Sequence, residues 1–378
     1  MADTLLIGTS KGAFVLSNTV SGWFISGPHC GGWTINHVIG DGRSLWAAGG
    51  GEWFGAGVWR SEDGGATWAL AKLAEGQVDE WCRNDPDMAG FLNWHDSGPA
   101  PFTGRLKAIW SLGRAGGRLL AGGNPAALFA SDDGGESWVE LEALAQHPSR
   151  ETWNPGAAGL VLHTILADPE APARLWVAIS AAGVFASEDG GASWERRNRT
   201  DNDAEGHLHD HPAAGHGHET GHCVHNLARS LGDRLWQQNH HGVYRSADGG
   251  RSWRDVSAGL PSRFGFPVAV DPHDPDTAWV IPLNGDTEGR FPPGASAAVW
   301  KTTDGGATWV RRGAGLPQAG CFFTVLRQAM SVVPGALAFG TNTGSVFLSR
   351  DGGESWDEVA RHLPTVLSVE FAASAAAG

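Results

Sequence analysis

The sequence predicts an all-β protein, a seven-bladed β-propeller, and three observations predict it. A short pattern, Ser/Thr-x-Asp-Gly-Gly-x-Ser/Thr-Trp, occurs six times, with its Asp at positions 63, 133, 189, 248, 304 and 351. Repeats 47 to 70 residues apart mark a repeat architecture, which forms one cooperative object rather than separate domains. The composition is rich in Gly (55) and Trp (19) and only 18% charged, as suits many short strands joined by tight turns. Finally, the two ends of the chain each hold part of a repeat unit, and the parts complement each other.

Each box lies between β-rich segments. Around the fourth, Arg234–Asn239, Gly242–Ser246 and the residues from Trp253 read as strand, strand and strand, with the box as the last hairpin. The Gly-Gly pair supplies positive-φ turn positions, the Asp accepts hydrogen bonds from the turn's amides, and the Trp offers a large apolar face to a neighbouring sheet. An innermost strand precedes each unit: Thr34–Ile39, Arg105–Trp110, Leu160–Leu166, Cys223–Ala228, Phe266–Val270 and Phe323–Arg327. Four strands make a blade. Residues 4–17 match the second and third strands of a blade that lacks a box, and 23–26 the fourth. The segment 364–371 has only an innermost strand left to supply. The C-terminal strand therefore closes the ring in the N-terminal blade, which removes the exposed edges. Six blades is the alternative. The chain reads as a single domain, 1–378, with insertions at about 71–104 and 198–221 on the top face, opposite the boxes.

The net charge of −14 argues against nucleic acid and anionic membrane as partners, because both select basic surfaces. The four Cys, at 30, 82, 223 and 321, show no C-x-x-C spacing. With no leader pattern and no apolar run of spanning length, the expected location is cytoplasmic.

The boxes resemble the Asp-box (BNR) repeats of the sialidase superfamily, and the resemblance covers nearly the whole chain. The segments 159–163, 224–226 and 237–246 further resemble bacterial BNR-repeat proteins described as exo-alpha-sialidases or glycosyl hydrolases. The resemblance implies the propeller fold. It does not carry sialidase chemistry over, since no Arg triad maps and no Phe/Tyr-Arg-Ile-Pro motif is present. The single Tyr, Tyr244, stands where other blades have a packed aromatic residue.

By analogy with other propellers, function belongs on the face built from the loops that lead into innermost strands and join second to third strands. Three innermost strands carry His at similar places, His37, His163 and His225, and the second-to-third-strand loop of the last blade adds His240. Converging imidazoles would hold a divalent transition metal (Zn, Mn, Fe or Cu). Arg105, Lys107 and Arg327 could position an anion, and Glu52 and Glu288 are the candidates for proton transfer. The run His207–His222 holds six His in a Gly- and Ala-rich stretch, either a metal-recruiting arm or low-complexity sequence. The first functional reading is a metal-dependent lyase or hydrolase acting on a small polar substrate, carbohydrate-like or carboxylated. The alternatives are a non-catalytic propeller that binds or assembles a protein partner, and a glycoside hydrolase without sialidase residues.

Overall fold

The computed structural model describes residues 4–96, 98–201 and 218–372. It contains seven four-stranded antiparallel sheets arranged as a seven-bladed propeller. The innermost strands, in ring order, are Val366–Phe371, Ile35–Gly40, Ala108–Ala115, Val161–Ala167, Val224–Arg229, Gly265–Val270 and Met330–Val333, and we number the blades 1 to 7 in that order. In blade 1, Val366–Phe371 pairs with Thr4–Thr9 (Ile7 opposite Val369, Leu5 opposite Phe371), so the two ends of the chain share one sheet as expected. Apolar residues of adjacent blades pack into clusters between the sheets, and the largest spans blades 6, 7 and 1.

The six boxes adopt one geometry. In the first, Ser61 Oγ donates to Asp63 Oδ1 (2.8 Å) and accepts from the amide of Gly65 (2.9 Å). The amide and hydroxyl of Thr67 donate to the same carboxylate at 2.9 and 2.6 Å. Gly64 and Gly65 have φ of +71° and +96°, which a side chain would strain. These hydrogen bonds to the charged form hold Asp63, Asp189, Asp304 and Asp351 down to a pKa of about 2. The boxes also join blades, because indole N–H groups of preceding blades donate to their glycine carbonyls. Trp46 reaches Gly134 O (2.8 Å), Trp176 reaches Gly249 O (2.8 Å) and Trp279 reaches Gly352 O (3.1 Å).

The innermost strands of blades 2 to 6 share a bulge, an extra residue unpaired in the ladder. It is Asn36 in blade 2, Trp110 in blade 3, His163 in blade 4 and His225 in blade 5, while Phe266 and Pro267 fill the place in blade 6. Three of these side chains make the same contact. Asn36 Nδ2 donates to Ile109 O (2.8 Å), His163 Nε2 lies 2.9 Å from Val224 O, and His225 Nδ1 lies 2.6 Å from Gly265 O. Each acceptor is the carbonyl just before the next blade's bulge, so the bulge residue latches its blade to the following one.

Two strand expectations are corrected. Arg105 and Lys107 precede the strand of blade 3, which starts at Ala108. Phe323–Arg327 is not a strand, because the innermost strand of blade 7 is Met330–Val333, paired with Ala336–Gly340 across the tight turn at Pro334 and Gly335. The apolar run 323–327 crosses the channel instead. Its carbonyls and the next side chain bind other blades: Asn226 Nδ2 donates to Arg327 O (2.6 Å), Gln328 Nε2 donates to His163 O, and the amide of Val369 donates to Gln328 O (2.9 Å).

The insertion after blade 2 forms two short helices, Gln77–Asn84 and Pro86–Phe91. Asp85 caps the second, accepting from the amides of Asp87 and Met88, with Pro86 at its first position. The helices pack beside Trp33, Trp59 and Trp94 around a cavity of about 830 Å³. The His-rich stretch 202–217 lies outside the described residues. Among those described, no helix is long and apolar enough to cross a membrane.

Candidate functional site

On the face opposite the boxes, a pocket of about 550 Å³ opens over the channel between blades 4 and 7. The crossing segment forms its floor: Leu326 and Arg327 face this pocket, whereas Gln328 and Met330 line a separate cavity below, with His37, Asn226 and Glu370. The upper walls come from second-to-third-strand turns and the starts of innermost strands, where backbone ends free side chains to converge.

The pocket is positively biased in an acidic protein. Arg290 lies on its rim and pairs with Asp286 (Nε to Oδ1, 2.7 Å), which also sits 3.6 Å from His240 Nε2. Arg327 has no ion pair among the described residues, and its Nε is buried without a hydrogen-bond partner. Both guanidinium groups lie over the ring of Phe266, at 5.2 Å for Arg327 and 5.8 Å for Arg290. Burial pushes the Arg327 guanidinium below its ordinary pKa; Arg290 adds to the fall, and Asp286 opposes it. Such a group is suited to accept a carboxylate from outside.

Of the four His proposed as metal ligands, the structure brings together His225 and His240, whose ring centroids are 5.5 Å apart. Burial, reinforced by Arg327, pushes His225 well below the usual His pKa, so its ring is neutral. The third member of the cluster is Cys223, with its Sγ 3.6 Å from His225 Nε2. Burial raises the Cys223 thiol, and Arg327 opposes that rise. His163 sits elsewhere, with both ring nitrogens engaged by Thr164 Oγ1 (2.9 Å) and Val224 O (2.9 Å). His37 is one residue beyond the bulge, not on it. It corresponds to Thr164 and Asn226, lines the lower cavity, accepts the amide of Leu112 at Nδ1 (2.9 Å) and lies 3.4 Å from Glu370. The apparent register of three His therefore mixes two structural positions, since a one-residue slip turns a side chain to another face.

The other candidates are dispersed. Arg105 pairs with Glu140 (3.1 Å) over Phe102, away from the pocket, so it does not join Arg327. Glu52 and Glu288 are both exposed, stand in blades 2 and 6, and neither lines the pocket. None of the described residues of 71–104 lines it either. Tyr244 is fully buried, and burial raises its phenol, as a packed aromatic requires. Cys223 and Arg290 were not singled out from the sequence. The available signal for Cys223 was its place two residues from His225 at a strand start, where alternate residues share a face.

No family profile matches the chain. A stretch of 117 residues is 28% identical to the photosystem II assembly lipoprotein Ycf48 of Synechococcus sp. (strain CC9902), covering 30% of this chain and 30% of that protein's length. Among solved structures, YCF48 bound to D1 peptide aligns with a TM-score of 0.51 at 14% identity, over 86% of this chain and 81% of that one. The GH74 xyloglucanase from Xanthomonas campestris aligns with a TM-score of 0.60 at 16% identity, over 95% of this chain and 52% of that one. At these identities the structural likenesses show the fold alone, so the chain is a propeller similar to both a binding protein and a hydrolase.

Proposed function

We propose that this propeller is a binding module that docks a carboxylate-bearing segment of a protein partner in the pocket over the channel. The observation that carries this reading is Arg327, a recessed guanidinium that makes no ion pair among the described residues, seated with Arg290 on Phe266. The separation of Glu52 from Glu288 supports it, because glycoside hydrolysis needs two carboxylates about 5–10 Å apart at one site. The likeness to a propeller solved with a bound peptide supports it further.

The test is fluorescence anisotropy with labelled acidic peptides, each made with a free and an amidated C-terminus, in chelator-containing buffer. Free-carboxylate peptides should bind, and Arg327→Met should weaken them about 10- to 100-fold, the worth of a hydrogen bond to a charged group. Equal affinity for both peptide sets and both proteins would refute the reading. Release of reducing sugar from xyloglucan, lost in Glu52→Gln or Glu288→Gln, would replace it with the hydrolase.

A further inference from the structure

We propose that Cys223, His225 and His240 form a metal site for a thiophilic divalent ion, zinc first, with one coordination position open to the pocket. Their ligand atoms all lie within 4.8 Å of one another. The separation of Cys223 Sγ from His225 Nε2, 3.6 Å, fits a shared ion. Tetrahedral zinc, with bonds of about 2.3 Å to sulfur and about 2.05 Å to nitrogen, sets these two atoms about 3.5 Å apart.

The tautomer of His225 fits as well. Gly265 O can only accept, so the proton sits on Nδ1, 2.6 Å away. The lone pair is then on Nε2, the nitrogen that faces Cys223. A ligating imidazole whose other N–H is fixed by a carbonyl is the usual outer-shell arrangement, and the carboxylate of Asp286, 3.6 Å from His240 Nε2, is placed to support the second imidazole. The same latch that explains the alignment of His163 and His225 thus leaves His225 with a nitrogen to spare, whereas His163 has none.

The ligand set selects the ion. One thiolate with two imidazoles suits zinc, and disfavours manganese, magnesium and calcium, which prefer oxygen. Three protein ligands leave a position open, as in catalytic rather than structural zinc sites. All three residues line the pocket into which Arg327 faces. A carboxylate held by Arg327 would complete the coordination. That last step rests on the function proposed above, while the metal site does not.

The experiment uses the full chain, expressed without a tag, stripped with chelator and titrated with zinc or cobalt(II) alone. Three variants accompany it: Cys223→Ser, His240→Gln, and one in which the five His of 207–218 become Ser. Wild type and the loop variant should each bind one equivalent at this site, with a thiolate-to-cobalt charge-transfer band. Cys223→Ser should abolish the band, and His240→Gln should weaken binding at least tenfold. His225→Gln also breaks the blade latch and could unfold the ring, so the cobalt band in Cys223→Ser decides. Absence of the band in wild type, its persistence in Cys223→Ser, or loss of all metal in the loop variant would overturn the site. Carboxylate-peptide binding that survives in chelator while metal binding fails would overturn the metal site and leave the proposed function standing.

Discussion

Deleting residues 365–378 removes the strand that closes the ring, and the loss should approach the whole stability of the protein. Val366 and Val369 are fully buried and Phe371 is 8% exposed. Burial of such side chains contributes about 1.5–3 kcal/mol each, so the three account for roughly 4.5–9 kcal/mol, as an upper estimate. The deletion also removes the ladder to Thr4–Thr9 and uncovers Leu5 and Ile7. Single domains have about 5–15 kcal/mol in total. The truncated chain should therefore show a collapsed guanidinium midpoint by tryptophan fluorescence and far-UV circular dichroism. A peptide spanning 364–372, added in trans, should restore part of the transition. Val369→Ala is the graded version, at about 2–3 kcal/mol from two lost methyl groups and the cavity they leave. A truncated protein that unfolds at the full-length midpoint, or a Val369→Ala cost near zero, would refute the account of closure.

The boxes predict a particular acid response. Folding depresses Asp63, Asp189, Asp304 and Asp351 to about 2 from an unfolded value of about 3.9, so their contribution is complete above pH 4 and lost as pH falls through 2. Urea midpoints should fall between pH 5 and pH 2.5, less steeply in Asp351→Asn; midpoints that rise on acidification would contradict this. Trp176→Phe removes the indole hydrogen bond to Gly249 O, a carbonyl that keeps the Arg197 guanidinium at 2.7 Å. Because the acceptor is not orphaned, the hydrogen bond accounts for only about 1 kcal/mol, while the cavity left by a fully buried indole that carries Arg174 and Arg229 adds about 1–3 kcal/mol; a loss near zero by denaturant titration would contradict this.

The fold was legible because the box is a local device. Its hydroxyl, carboxylate and two glycines determine a hairpin by themselves, so six copies index six blades wherever they occur. Closure was legible because the segment 364–371 had only one role left in the blade pattern. The site was harder to read, because it depends on a bulge. An extra residue in a strand leaves no mark in an apolar pattern, and it moved His37 out of line with His163 and His225. The run Phe323–Arg327 has strand composition, yet its polar backbone is satisfied by Asn226 and by Asn342, whose Oδ1 accepts the amide of Thr324 (2.7 Å), rather than by a ladder. Arg327 was named from the sequence as an anion holder, but for a strand position that it does not occupy. Cys223 was missed because its two-residue spacing from His225 does not point to a ligand set until the fold places His240 beside both.

The bulge latches bear on how such rings can be rebuilt. Each seam of this kind runs one way, from a side chain on one blade to a carbonyl on the next, and the receiving half is main chain that any sequence supplies. A blade can then be exchanged between rings if it brings its own donor, and the neighbour that receives it needs no matching substitution. Asn in one seam and His in two others perform the same task here. Seam chemistry is thus interchangeable, and a protein engineer could swap a His seam for an Asn seam to free that imidazole for another use.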